Sequence, residues 1–295
     1  MRGPFENKAV VASLVLPGLA IMVFSMVVPL GFSFYLSLTN SAGFGEYRHV
    51  GLENYLDILG NNPVFWRSLW NTLLLMLATV FVQNPVAFAL AAVLAHVSQK
   101  LSRVLRTLYF VPAVLSLLIV AKLWVNLFNP TYGMVNKLLR AVGLGSLAVS
   151  WLSNPHTAIW AVIWIVLWQG FGWALLFYYA GLMTVPRELE EAARVDGASW
   201  FQTYVHVVIP YLYPAIAAVI VIDVISSMRQ MDLIFFSTGG GPGTLTQVVT
   251  VYLYQKAFAS GEYGYGNAIS VLFVLIAVGL TLLVQRFLRT APDER

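Results

Sequence analysis

The chain has 295 residues, of which 59% are hydrophobic and only 10% charged, a proportion that cannot be divided between one core and one wetted surface. A water-soluble globular protein is excluded. The lack of cysteine rules out a disulfide framework and thiolate chemistry, and the net charge of +4 sits mostly in short segments beside apolar runs, as membrane orientation requires, rather than in a patch for nucleic acid.

Six runs, roughly 9–38, 70–95, 104–128, 158–183, 207–228 and 266–288, are long enough to cross a hydrocarbon layer about 30 Å thick. They are continuous rather than alternating, and an isolated strand would leave its backbone groups unpaired in lipid, so the pattern predicts an all-α polytopic membrane protein with six transmembrane helices. The first run follows Arg2 and Lys8 but is too long for the core of a secretory signal and lacks a small-residue cleavage site, so it is read as a retained span. In the second, Asn84-Pro85 predicts a kink. The third carries Lys122, which can snorkel to the outer interface or pair with Asp223.

The fourth run contains Gln169-Gly170-Phe171-Gly172-Trp173, where two glycines open space and Trp173 offers a flat apolar face. Glycines here also suit close helix packing. Asp223 in the fifth run stands about 20 Å past Pro210, with Ser227 and Gln230 following at i+4 and i+7 on the expected same face. Carboxylate, hydroxyl and amide provide what a polyhydroxylated ligand needs. The connections 39–69, 129–157 and 229–265 are too short for a domain with its own core, so residues 1–295 are expected to be one membrane domain.

The loop 184–206 differs from all other connections. Pro186 suits a helix start, Glu188, Glu190 and Glu191 put negative charge in its first turn, Gly197 suits a helix stop, and Ser199 can cap a second short helix toward His206, with Pro210 opening the next span. Ala192 and Ala193 keep the first helix slim for a partner. An amphipathic interfacial helix is the plainer alternative. With the N-terminus inside, ten Lys and Arg fall on the inner side and six on the outer, so both termini and this loop are expected in the cytoplasm.

The order Glu191, Ala192, Ala193, then Asp196, Gly197, Ala198, then Ile209, Pro210 resembles the EAA loop of the membrane-spanning subunits of ABC importers. Gly51-Leu-Glu-Asn-Tyr55, Asn71-Thr72, Thr238-Gly-Gly-Gly-Pro-Gly243 and Tyr252-Leu-Tyr-Gln-Lys-Ala-Phe258 are similar to the carbohydrate-uptake branch, of maltose and glycerol-phosphate type. Tyr204, His206 and Val207 depart from the common residues at their positions but preserve size and character.

This resemblance implies a permease subunit in a prokaryotic inner membrane, working by alternating access with a second homologous permease, two ATPase subunits and an extracytoplasmic binding protein that delivers a sugar. Glu191, Ala192, Ala193, Asp196, Gly197 and Pro210 are then ATPase-coupling residues, and Gln169, Gly170, Trp173, Asp223, Ser227 and Gln230 are candidates for the substrate path. ATP and Mg would belong to the partner ATPases, since this chain has no phosphate-binding loop, binds no cofactor of its own and is no enzyme. His49, His96, His156 and His206 are scattered without metal-ligand spacing, so no metal or catalytic site is expected. Glycerol phosphate or a polyol are alternative substrates, and an ion-driven carrier using Asp223 is the alternative of a different class.

Overall fold

The computed structural model describes residues 8–289, with side chains from 11 to 288. Arg2 and Arg295, two of the ten Lys and Arg counted above on the inner side, lie outside the described residues. Among those residues the fold is helical without a strand, apart from one isolated bridge between Thr39 and His49. Contacts group the chain into two compact units, Met1–Asn62 with Leu253–Leu275, and Pro63–Tyr252 with Ile276–Arg295.

In the first unit, span one, Val11–Ser37, buries none of its most apolar stretch. The stretch is suited to lipid or another chain. Where span one ends, Asn54 of the helix Glu53–Gly60 donates through Nδ2 to the carbonyls of Ser37 at 2.8 Å and Thr39 at 2.9 Å. Those carbonyls have no further helical turn to bond, and the Asn54 amide supplies the missing donors. Tyr265, early in the last helix Tyr263–Arg289, donates to Asp57 at 2.8 Å and accepts from Asn62 at 2.6 Å.

The second unit contains spans two to five. Span two runs Pro63–His96, starting seven residues before the expected 70, because Pro63 fits the first helical position and the turn it starts is continuous with the apolar run. The third run is not one straight span but Gln99–Val114 and Leu117–Leu127, meeting at 98°. Leu115 takes extended dihedrals, and Ser116, a residue type that favours helix starts, precedes the second helix. Span four is the expected helix, Ala158–Leu182. Span five runs without a break from Trp200 to Met228, so the second short helix of the loop and the span are one element, and Pro210 lies inside it rather than opening it.

Three helices accommodate an internal proline in the same way. The π-helical turns Val23–Val27, Thr79–Gln83 and Tyr204–Val208 each end two residues before Pro29, Pro85 and Pro210. A proline ring collides with the carbonyl four residues back and brings no N–H to it, and the wider turn moves that carbonyl aside. The kink expected at Asn84-Pro85 is therefore expressed as a π turn.

Two buried clusters hold this unit together. One joins Leu75, Val120, Trp124, Phe128, Val162, Ile165, Leu233 and Val251, and the other joins Ala87, Ala91, Leu94, Leu175, Tyr178, Leu182, Val208 and Leu212. Alanines along span two let the helices come close enough for backbone-level packing.

Candidate functional site

Three spans meet at Asn84. Its Nδ2 donates to Asp223 Oδ2 at 2.9 Å and to the Thr79 carbonyl at 3.1 Å, while its Oδ1 accepts from the Tyr178 hydroxyl at 2.7 Å. Both donor contacts go to oxygen acceptors and the other to a hydroxyl, so the amide has one consistent orientation. Thr79 Oγ1, 2.9 Å from Ser227 Oγ, already donates to the Met76 carbonyl at 2.8 Å, so Ser227 is the donor between the two hydroxyls. Carrying polar side chains into lipid-spanning helices is costly, and this network offsets the cost by pairing them with one another.

Asp223 is held by one oxygen and, among the described residues, its other oxygen has no protein partner. It lines a cavity of about 290 Å³ with Trp173, Ala174, Phe177, Val219, Ile222 and Ser226. Trp173 is 49% exposed, seated edge-on against Phe110 at 5.0 Å and stacked along Phe177 at 6.4 Å. The cavity therefore joins an aromatic face to a carboxylate, a combination that takes an apolar ring face with hydroxyls at its rim.

The remaining path candidates separate from this pair. Ser227 is only 4% exposed and belongs to the polar network rather than the cavity. Gln230 lies beyond the end of span five at Met228, so it does not continue the Asp223 face at i+7 as expected. Its carbonyl instead accepts from Thr250 at 2.7 Å. Gln169 is half-buried and outside the cavity lining. At Gly170 an added Cβ would lie 3.1 Å from Gln83 Oε1, and at Gly172 only 2.4 Å from the Tyr109 carbonyl oxygen, so both glycines serve close packing. Lys122 is exposed and, among the described residues, forms no ion pair with Asp223. Asn84 takes the place expected for Lys122.

Asn84, Thr79 and Tyr178 are the residues that sequence reading missed. A signal was present: an amide inside a span demands partners, and Asp223 was a carboxylate at depth in the same membrane.

In the loop, the first helix is Arg187–Val195, with Glu188 and Glu190 in its first turn and Arg194 in its last, charges that complement the helix dipole at both ends. Asp196 and Gly197 follow, and Gly197 has φ +82°, a left-handed conformation that a side chain disfavours. Ser199 and Gln202 close a capping box, with Ser199 N–H donating to Gln202 Oε1 at 2.8 Å and Gln202 N–H donating to Ser199 Oγ at 3.4 Å. Glu191, Ala192 and Asp196 are exposed, Ala193 half-buried, and Val195 stands 86% exposed at the tip. Pro210 is exposed on span five, just past its π turn.

The Gly-rich segment is stapled to span two. Asn71 Nδ2 donates to the carbonyls of Leu245 at 3.0 Å and Gln247 at 2.8 Å, Thr72 Oγ1 accepts from Val249 N–H at 3.2 Å, and Thr246 bridges to Thr238 and to the Gly241 carbonyl at 2.7 Å each. Asn71-Thr72 and Thr238–Gly243, far apart in sequence, thus belong to one structure.

A profile of the family described as "Binding-protein-dependent transport system inner membrane component" matches residues 83–291, which include the Asn84–Asp223 contact and the whole loop. The chain belongs to this family. It is therefore a multi-pass inner-membrane permease component of a binding-protein-dependent importer, a transport protein. The "Probable ABC transporter permease protein YurN" of Bacillus subtilis is 32% identical over 98% of this chain and 99% of its own length. The "Trehalose/maltose transport system permease protein MalF" of Thermococcus litoralis is 30% identical over 94% of this chain and 93% of its own. The fold is shared with a chain of a bacterial ABC transporter involved in the import of the acidic polysaccharide alginate, at TM-score 0.82, 22% identity and 98% coverage of both chains.

Proposed function

We propose that this permease forms half of the path for a sugar or oligosaccharide, with Trp173 and Asp223 as its contacts and the Glu191–Gly197 segment as the surface gripped by an ATPase subunit. The observation that carries the reading is the cavity in which the Trp173 ring and the Asp223 carboxylate meet. Its volume, about 290 Å³, lies just below the range of about 300–1,000 Å³ usual for ligand sites, which suits a path completed by a second permease. Relatives named for trehalose/maltose, arabinooligosaccharides and multiple sugars support carbohydrate as the cargo class. A phosphate-bearing cargo fits less well, because neither Lys nor Arg lines the cavity.

ATP and Mg bind on two partner ATPases, an extracytoplasmic binding protein delivers the sugar, and both termini of the chain face the cytoplasm. Closure of the ATPases moves the loop, and the spans reorient the cavity from one side of the membrane to the other. The test is uptake of radiolabelled maltose, trehalose and arabinooligosaccharides by vesicles containing the chain with its neighbouring permease, ATPase and binding protein. Accumulation that requires ATP and survives collapse of ion gradients is expected, whereas gradient-driven uptake by this chain alone overturns the reading. Asp223→Ala and Trp173→Ala should each lower uptake by at least about tenfold, a loss of roughly one charged hydrogen bond or one ring contact.

A further inference from the structure

His96 ends span two, and the segment Asn84–His96 is one helix of 13 residues, about 18 Å from end to end at 1.5 Å per residue. Its near end is the Asn84 contact with Asp223 and Tyr178. Its far end meets the loop. His96 Nδ1 lies 2.9 Å from the Ala92 carbonyl, which can only accept, so Nδ1 carries a hydrogen and Nε2 is the nitrogen turned to Glu190, whose Oε2 is 3.7 Å away. The same Glu190 oxygen is 3.8 Å from Arg194, and the His96 ring lies edge-on to Trp200 at 6.3 Å and tilted on Tyr204 at 6.0 Å.

Among the described residues, Glu190–His96 is the one contact between an acidic and a basic side chain that leaves the helix Arg187–Val195 for another element, an ion pair when Nε2 is also protonated. Between the two polar ends, Ala87, Ala91, Ala92 and Leu94 are fully buried against spans four and five, so the segment is packed along its length. The covalent route from the loop to Asp223 is weaker mechanically. It follows span five through the π turn Tyr204–Val208 and past Pro210 and Pro214, each of which removes a backbone hydrogen bond.

We propose that His96 is a positioning residue of the coupling step: through Glu190 it ties the loop helix to the rigid Asn84–His96 segment, whose other end holds Asp223. This rests on the reading that ATPase subunits grip the loop. Movement of the loop helix then reaches the cavity carboxylate through one continuous, packed helix. A partly exposed contact between such groups adds little to folding stability, so its loss is expected in coupling and not in assembly.

The test uses the whole complex in proteoliposomes, with uptake of the labelled sugar that wild-type vesicles accumulate and ATP hydrolysis measured in the same preparation. His96→Ala and Glu190→Gln should each reduce sugar moved per ATP about tenfold, and the double variant should be no worse than either single one, because both remove the same link. His96→Lys places a permanent cation within reach of Glu190 and should keep most of the ratio. An unchanged ratio, a proportional fall in uptake and hydrolysis with a lowered melting midpoint, or losses that multiply in the double variant would each overturn the proposal. Wild-type vesicles without ATP-driven uptake would instead strike the reading beneath it.

Discussion

Asn84 spends both amide hydrogens and its carbonyl at once, on Asp223, the Thr79 backbone and Tyr178. Asn84→Ala leaves a carboxylate and a phenol without their partners in a buried setting and should cost about 1–3 kcal/mol, read as a lower melting midpoint of the detergent-solubilised complex. The two glycines of span four make a sharper comparison. A methyl group at Gly172 would meet backbone of the neighbouring helix, Tyr109 O at 2.4 Å and Phe110 Cα at 2.8 Å, whereas at Gly170 it meets only the end of the Gln83 side chain. Gly172→Ala should therefore destabilise by about 1–3 kcal/mol and Gly170→Ala by clearly less, with the same thermal measurement deciding. Equal effects would mean that span four does not pack there as described.

The loop and the broken third span show what kind of element a sequence discloses. Arg187–Val195 was legible because its determinants are local: Pro186 before it, acids in the first turn, Gly197 after it, and the Ser199–Gln202 box on the far side of the bend. Gly197→Pro requires a backbone angle near −65° where the chain has +82°, so ATP-driven uptake should be lost while the protein still inserts; transport at the wild-type rate would refute a coupling role for the bend. The 98° break at Leu115-Ser116 was hidden, because apolar residues continue across it and hydropathy carries no directional information. The start of span five at Trp200 was hidden for a related reason, since a proline that normally marks a boundary is absorbed there by a π turn. Of the cavity, Trp173 and Asp223 could be found one residue at a time, but their partner Asn84 needed the fold.

For the molecule as a whole, orientation is the property that charge counting predicts and labelling can decide. The absence of cysteine makes the chain a clean background for single-thiol probes. Phe44, 93% exposed after span one, and Val195, 86% exposed in the loop, are the two sites to use. Phe44→Cys should react with a membrane-impermeant maleimide in intact spheroplasts, and Val195→Cys only after permeabilisation. The reverse pattern would place the loop outside, away from any ATP, and remove the proposed role of the Glu191 segment.

The three π turns also bear on how such a chain can diverge. Each holds one residue more than a regular turn, an insertion that rotates everything beyond it by about 100° around the helix axis. In span two the rotation falls at Thr79–Gln83, between the stretch that anchors the Gly-rich segment through Asn71 and the stretch that runs from Asn84 to the loop. The two halves of the span are thus set in phase independently. A lineage could re-aim the half that anchors the Gly-rich segment by gaining or losing that single residue, while the Asn84–His96 half, with its contact to Asp223, keeps its register.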